Sequence, residues 1–283
     1  MSRTMHFIRP ATTLHRDPSA GSEVVSEARM GDAARVLSTR GKWARVETVH
    51  DGYPGWAPLD SLNGGSWPPG GRVVRITSLF ANLHSAPGVR APLLGVLCLG
   101  TPLVRLLSAR RDLAGRSGDR RVRRGGRGGW LKVAGPGGLT GFVHPGDAGQ
   151  GRKAWPPSRK SLVGWAWRLL GLPYRWGGTT TFGMDCSGMV QMLYRLHGVD
   201  LPRDADQQLA WKGLSPVDRR AVAPGDLLFF AGARHVGVAV DRETFIHATA
   251  WRVPVVQESR IDEPRWRRLR HAIMRVTFLK AMR

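Results

Sequence analysis

The sequence predicts a multidomain chain in which two small all-β barrels precede one α+β domain. Three observations predict it. A set of short motifs recurs once between residues 13 and 148. Each copy reads as brief, β-branched strands divided by Gly-rich turns, the pattern of a small barrel. From Ser158 onward the apolar residues fall instead at helical spacing. A chain of 283 residues has room for two or three domains and an ample core.

The repeat is legible residue by residue. Leu14-His15 with Pro18 recurs as Leu83-His84 with Pro87, and Met30-Gly31-Asp32 recurs at the same spacing as Leu99-Gly100-Thr101. Arg35-Val36-Leu37 returns as Val104-Arg105-Leu106. Lys42-Trp43-Ala44-Arg45-Val46 then returns as Gly129-Trp130-Leu131-Lys132-Val133, and Tyr53-Pro54-Gly55-Trp56-Ala57 as Leu139-Thr140-Gly141-Phe142-Val143, both at a longer spacing. The difference is an insertion, Arg110–Arg127, rich in arginine and glycine. The expected domains are therefore residues 1–66, 71–149 and 158–283. Pro68-Pro69-Gly70-Gly71 and Trp155-Pro156-Pro157 read as the linkers between them.

The net charge is +22, almost all of it arginine. Part of that excess reflects an Arg-for-Lys bias; the rest predicts affinity for anionic polymers such as nucleic acid, wall carboxylates or teichoic phosphates. The inserted Arg/Gly stretch has the composition of segments that bind single strands, but it holds no aromatic residue for bases to stack on. A solvated loop extension accounts for it as well. Cys98 and Cys186 lie far apart and make no disulfide framework, and Cys98, in the apolar run VLCLG, reads as core. Met1–Pro10 has no apolar segment of signal-peptide length and no run approaches a membrane span, so the expected location is the cytoplasm, with the cell envelope left open.

The chemistry gathers around Tyr174–Gln191, YRWGGTTTFGMDCSGMVQ. Met189, Val190, Leu193 and Leu196 mark one buried face of a helix that starts at Cys186 and stops at Gly198, with Asp185 as its cap. A cysteine in the first turn meets free N–H groups and the positive end of the macrodipole, which favour a thiolate. Downstream, Ala233–Val240 alternates, and Asp241-Arg242-Glu243 reads as a hairpin loop before Thr244–Thr249. Val240 then faces Thr244 and Gly237 faces His247. His235 and His247 share one face, about 7–8 Å apart between Cα atoms. A cysteine with two stacked histidines is a nucleophile, a general base and an orienter. Zinc is the competing reading, yet no CxxC or HxxxH pair occurs. Upstream, Ser158 caps a further helix carrying Leu162, Trp165, Ala166, Leu169 and Leu170 on its core stripe and ending at Gly171.

PYRWGG, DCSGMV, LPRDADQQ, PGDLLFF, HVGVAV and FIHA, in that order and spacing, resemble the NlpC-type cell-wall cysteine peptidases of bacteria. The resemblance runs from about Ser158 to the C-terminus and implies a papain-like α+β catalytic domain that cuts peptidoglycan stem peptides without metal or organic cofactor. It implies Cys186 as nucleophile, His235 as general base and acid, and His247 as the polar third member. Tyr174 and the backbone N–H of Cys186 would hold the oxyanion, and Ser187 joins that oxyanion and substrate-binding group. The pattern W-x-x-V followed by G-x-x-G-W/F-V/A in both barrels resembles bacterial SH3-like domains.

The run Arg203-Asp204-Ala205-Asp206 resembles the subgroup with two such domains, the γ-D-glutamyl-L-diamino-acid endopeptidases. That resemblance implies that Asp204, otherwise a plain helix cap, pairs with the free α-amine of an N-terminal L-alanine. It also implies that a tyrosine of the first barrel closes the cleft. Tyr53 is the matching position, and Asp32 is a second acidic candidate from that barrel. The expected partners are stem peptides and muropeptides, and the expected state is a monomer. Two alternatives stay open: another amidase or acyltransferase on the same scaffold, and a wall- or nucleic-acid-binding protein whose catalytic domain is silent.

Overall fold

In the computed structural model the described residues are 3–65, 67, 71–106, 129–149 and 155–277. The inserted Arg110–Arg127 and most of the first linker lie outside them. The first barrel is a seven-stranded sheet ordered Val24–Arg29, Ala11–His15, Pro54–Pro58, Trp43–Thr48, Ala33–Arg40, Arg3–Phe7, Leu62–Asn63. The second repeats that order strand for strand: Leu93–Cys98, Phe80–His84, Thr140–Val143, Leu131–Ala134, Pro102–Arg105, Arg72–Ile76, Ala148–Gly149. The likeness reaches single bonds. His15 Nδ1 contacts Ser22 O at 3.0 Å and His84 Nδ1 contacts Ala91 O at 2.8 Å. Each ring also stands edge-on to a tryptophan, Trp43 and Trp130 respectively. Gly31 and Gly100 occupy equivalent turns with φ of 86° and 83°, a region closed to most side chains.

The C-terminal portion opens with α1 (Arg159–Arg168), capped as expected by Ser158 Oγ accepting from Ser161 N at 3.1 Å. Leu162, Trp165, Ala166 and Leu169 are buried, whereas Leu170 is exposed, because the helix has already ended and Gly171 (φ 80°) turns the chain away. Trp155, expected in a linker, is buried against Trp165 instead and belongs to the core. Next come α2 (Cys186–Leu196) and α3 (Ala205–Ala210). A six-stranded sheet follows, made of β1 (Leu214–Pro216), β2 (Leu227–Phe230), β3 (His235–Ala239), β4 (Thr244–Thr249), β5 (Val255–Arg260) and β6 (Arg270–Val276), in the spatial order β1-β6-β2-β3-β4-β5. The short α4 (Pro264–Leu269) precedes β6.

One face of this sheet, through Val236, Val238 and Ile246, packs on Met189, Val190 and Leu193 of α2. The other, through Phe230, Ala239 and Phe245, packs on Trp266 of α4. The alternation expected for β3 is met from His235 on; Ala233, with φ of 63°, belongs to the preceding turn. No helix among the described residues is long and apolar enough to cross a membrane.

Candidate active site

Asp185 fixes where α2 begins. Its carboxylate accepts from Gly188 N at 2.7 Å and from Gly177 N at 3.0 Å, so it caps the helix and ties down the Gly-rich loop together. Arg203, 1% exposed, grips the same carboxylate with both terminal nitrogens, at 2.6 and 3.1 Å. Ser187 Oγ donates to Asp185 and accepts from Arg203. Ser187 is thus buried behind the cysteine, where its hydroxyl is already engaged with both ions. Gly188 allows the close approach: a Cβ there would sit 2.1 Å from Gly178 O.

The two imidazoles stand where the registered pairing of β3 with β4 ends. Pairing of β3 with β4 registers Val238 with Ile246 and Ala239 with Phe245, which sets Gly237 opposite His247 as expected. Backbone N–H groups alternate along β3: that of Ala239 reaches Asp226 O beside β2, and that of Val240 reaches Thr244 O beside β4. Val236 N–H therefore points toward β4, beyond the last registered pair, and there it reaches the Cys186 sulfur. Ser187 N–H also reaches it. The imidazoles share the sheet face of Phe245 and Trp266, while α2 brings the cysteine from the other face. His235 Nε2 and His247 Nδ1 are 2.7 Å apart, and His247 Nε2 lies 3.1 Å from Ser259 Oγ. Trp266 stacks on His235 at 5.5 Å and stands edge-on to His247 at 4.8 Å.

The electrostatics differ from the expectation that a helix start yields a standing thiolate. Burial pushes the Cys186 thiol up to about 11, and the Asp185 charge adds to it. The Val236 and Ser187 N–H groups and Arg203 pull the other way and are outweighed. Desolvation of a whole charge exceeds what the half-charge of one helix end returns. His235 is pushed down to about 4, first by burial and then by the Arg265 charge, and His247 is lowered by burial and by His235. The resting pair is a neutral thiol and a neutral imidazole.

Tyr174 lies beside the cysteine; burial and then the charge that Cys186 would carry raise its phenol to about 12. Its hydroxyl makes no hydrogen bond among the described residues. Asp204 stands at the N-cap position before α3, but its side chain makes no capping bond. Its carboxylate accepts instead from the Tyr53 hydroxyl at 3.0 Å and from Gln207 Nε2 at 3.3 Å. Burial raises Asp204, opposed by that bond and by Arg203. Asp32 is not brought to this wall. It is buried in a two-pronged pair with Arg195 (2.9 and 3.1 Å), with Arg29 beside it.

The residues that sequence reading passed over are Arg203, Ser259, Asp51 and Gln191. Asp51 accepts from Gln191 Nε2 of α2 at 2.8 Å and from Tyr53 N at 3.2 Å, which holds the Tyr53 turn against the catalytic helix. Arg203 stands inside the RDAD run and Gln191 closes the stretch around Cys186; Ser259 and Asp51 carry no local signal.

Residues 171–275 match the model of the NlpC/P60 family, and residues 14–62 match the bacterial dipeptidyl-peptidase Sh3 domain. Residues 171–275 are an NlpC/P60 domain. A γ-D-glutamyl-L-lysine dipeptidyl-peptidase of Bacillus cereus is 27% identical over 245 residues, 80% of this chain and 68% of that protein. A protein of the same name from Bacillus subtilis is 46% identical over 87 residues, 28% of each chain. A crystal structure of an NlpC/P60 family protein from Bacillus cereus superposes with a TM-score of 0.78 at 22% identity. It covers 97% of this chain and 99% of its own, a likeness of fold that includes both barrels.

Proposed function

We propose that this chain is a cysteine endopeptidase of cell-wall peptides that hydrolyses the γ-D-glutamyl–L-diamino acid bond of stem peptides bearing a free N-terminal L-alanine. The observation that carries the reading is the Tyr53–Asp204 bond, made across two domains at 3.0 Å. Asp204 is thereby a half-buried carboxylate walled by an aromatic ring of the first barrel, which supports an ammonium-reading role for it. A free ammonium replaces the phenol as partner of Asp204, whereas an acylated nitrogen leaves that carboxylate half-buried without a counter-charge.

His235 Nε2 is engaged with His247, so Nδ1 is the nitrogen left to take the thiol proton. For that, Nε2–H donates to His247 Nδ1, and His247 Nε2–H donates to Ser259 Oγ. Because thiol and imidazole both rest neutral, proton transfer accompanies attack of the sulfur on the γ-carbonyl carbon. The Tyr174 hydroxyl and the Cys186 backbone N–H hold the oxyanion. His235 returns the proton to the departing amine, then draws one from water, which releases the acyl group and restores the thiol. Every group in this scheme comes from one chain, so a monomer suffices.

The test compares L-Ala-γ-D-Glu-L-Lys with its N-acetylated form, with products read by mass spectrometry. The free peptide is cut between D-Glu and Lys, the acetylated one far more slowly. Equal rates on the two would remove the role given to Asp204. Cys186→Ala binds the peptide without turning it over; residual cleavage at the wild-type rate would refute the nucleophile.

A further inference from the structure

We propose that Arg265, set on an indole shelf beside His235, is the docking group for the free α-carboxylate of the leaving diamino-acid residue. This rests on the function proposed above and adds the specificity of the leaving side. The Arg265 guanidinium lies 5.0 Å over the Trp251 ring and 5.4 Å over Trp266. Trp266 in turn stacks on His235, the group that hands its proton to the leaving amine. The loop carrying Trp251 borders the oxyanion side as well, since Tyr174 N donates to Pro254 O at 2.8 Å. The shelf thus adjoins His235, and the loop that carries Trp251 is tied to the backbone of Tyr174. The ammonium wall of Tyr53 and Asp204 belongs to the acyl side of the scissile bond.

The shelf is rigid and its charge is unspent. Trp251 N donates to Thr249 Oγ1, Gln257 Nε2 donates to Trp251 O, and Arg252 holds the loop turned with φ of 64°, a conformation costly for a non-glycine residue. The neighbouring acid, Glu263, is paired to Arg252 at 3.1 Å. Arg265 has no acidic partner among the described residues, and its Nε is buried without any hydrogen bond. A guanidinium stacked on indoles and short of an anion suits a planar carboxylate. The leaving residue's α-carboxylate is one carbon from the nitrogen that His235 protonates, the same side of the cleft as the shelf. The preferred substrate then ends at the diamino acid, and a further residue on that carboxyl weakens binding.

The experiment uses the full chain and three peptides: L-Ala-γ-D-Glu-L-Lys, the same peptide with a C-terminal carboxamide, and the same peptide with D-isoglutamine for D-glutamate. Wild-type enzyme is expected to show a KM about tenfold lower for the free C-terminal acid than for the carboxamide, at similar kcat, as one charge-assisted contact supplies. Arg265→Gln raises KM for the acid to the carboxamide value and leaves carboxamide cleavage unchanged, while Arg265→Lys restores part of the preference. Equal wild-type KM values for acid and carboxamide would overturn the proposal, as would a preference that survives Arg265→Gln. Arg265→Gln acting on the D-isoglutamine comparison alone would overturn it too, by giving the guanidinium to the acyl side. Absence of cleavage of all three peptides by the wild type would instead overturn the proposed function itself.

Discussion

A neutral imidazole is what His235 must be to accept a proton, and its burial against Trp266 keeps it neutral down to about pH 4. The acid limb of kcat/KM on the tripeptide is therefore expected near 4 rather than near the 6.5 of a free histidine. A limb at 6.5 would show that the ring is solvated at work. The same displacement sets a stability trend. Between 6.5 and about 4 the unfolded chain binds protons that folded His235 refuses, and His247 and His197, also lowered, act in the same direction. Stability is at its full value above 6.5 and declines as pH falls through that window. Below it, Asp32 takes over: Arg195 and Arg29 hold its carboxyl well under the usual range despite burial, so its stabilisation is lost only as pH drops beneath 3.8. Thermal unfolding followed from pH 7 to pH 3 checks the trend, and a Tm independent of pH from 7 to 4 would contradict it.

Two helix starts of like appearance carry different weights. Ser158 caps α1 and pairs with no charged group among the described residues, so Ser158→Ala should cost about 1 kcal/mol. Asp185 caps α2 and also neutralises Arg203 inside the protein. Asp185→Ala strands that guanidinium and should cost about 3–5 kcal/mol, with loss of activity as the loop from Tyr174 to Gly178 is released. Denaturant midpoints at unchanged slope measure both. At this scale much was legible in advance: both caps, the buried stripe of α2 and the β3–β4 register follow from spacing. The exposed Leu170 was not, because a stripe continues in sequence after the helix that would use it has ended.

The first barrel is joined to the catalytic domain by buried charge as well as by surface. Arg203 Nε donates to Ser26 Oγ at 3.1 Å, Glu27 pairs with Arg175, and Asp32 pairs with Arg195. Leu99 of the second barrel enters the catalytic core. Asp32→Ala removes the anion between the buried Arg29 and the partly exposed Arg195 guanidinium and is expected to cost about 3 kcal/mol. Calorimetry should then resolve two unfolding transitions where the wild type has one, the barrel parting from the peptidase before either melts. A single transition in the variant would mean that the apolar contacts alone couple the domains.

Sequence alone determined the duplicated barrels, the helix that presents Cys186 and the hairpin that aligns His235 with His247, because each rests on a local period, a cap or a turn. Tertiary structure decided the rest. Asp204 faces Tyr53 instead of capping its helix, Asp32 is consumed in an ion pair, and the thiol is neutral at rest. Charge state and partnership depend on which distant groups share a buried volume and how much water remains there, and neither quantity is a property of neighbours along a chain.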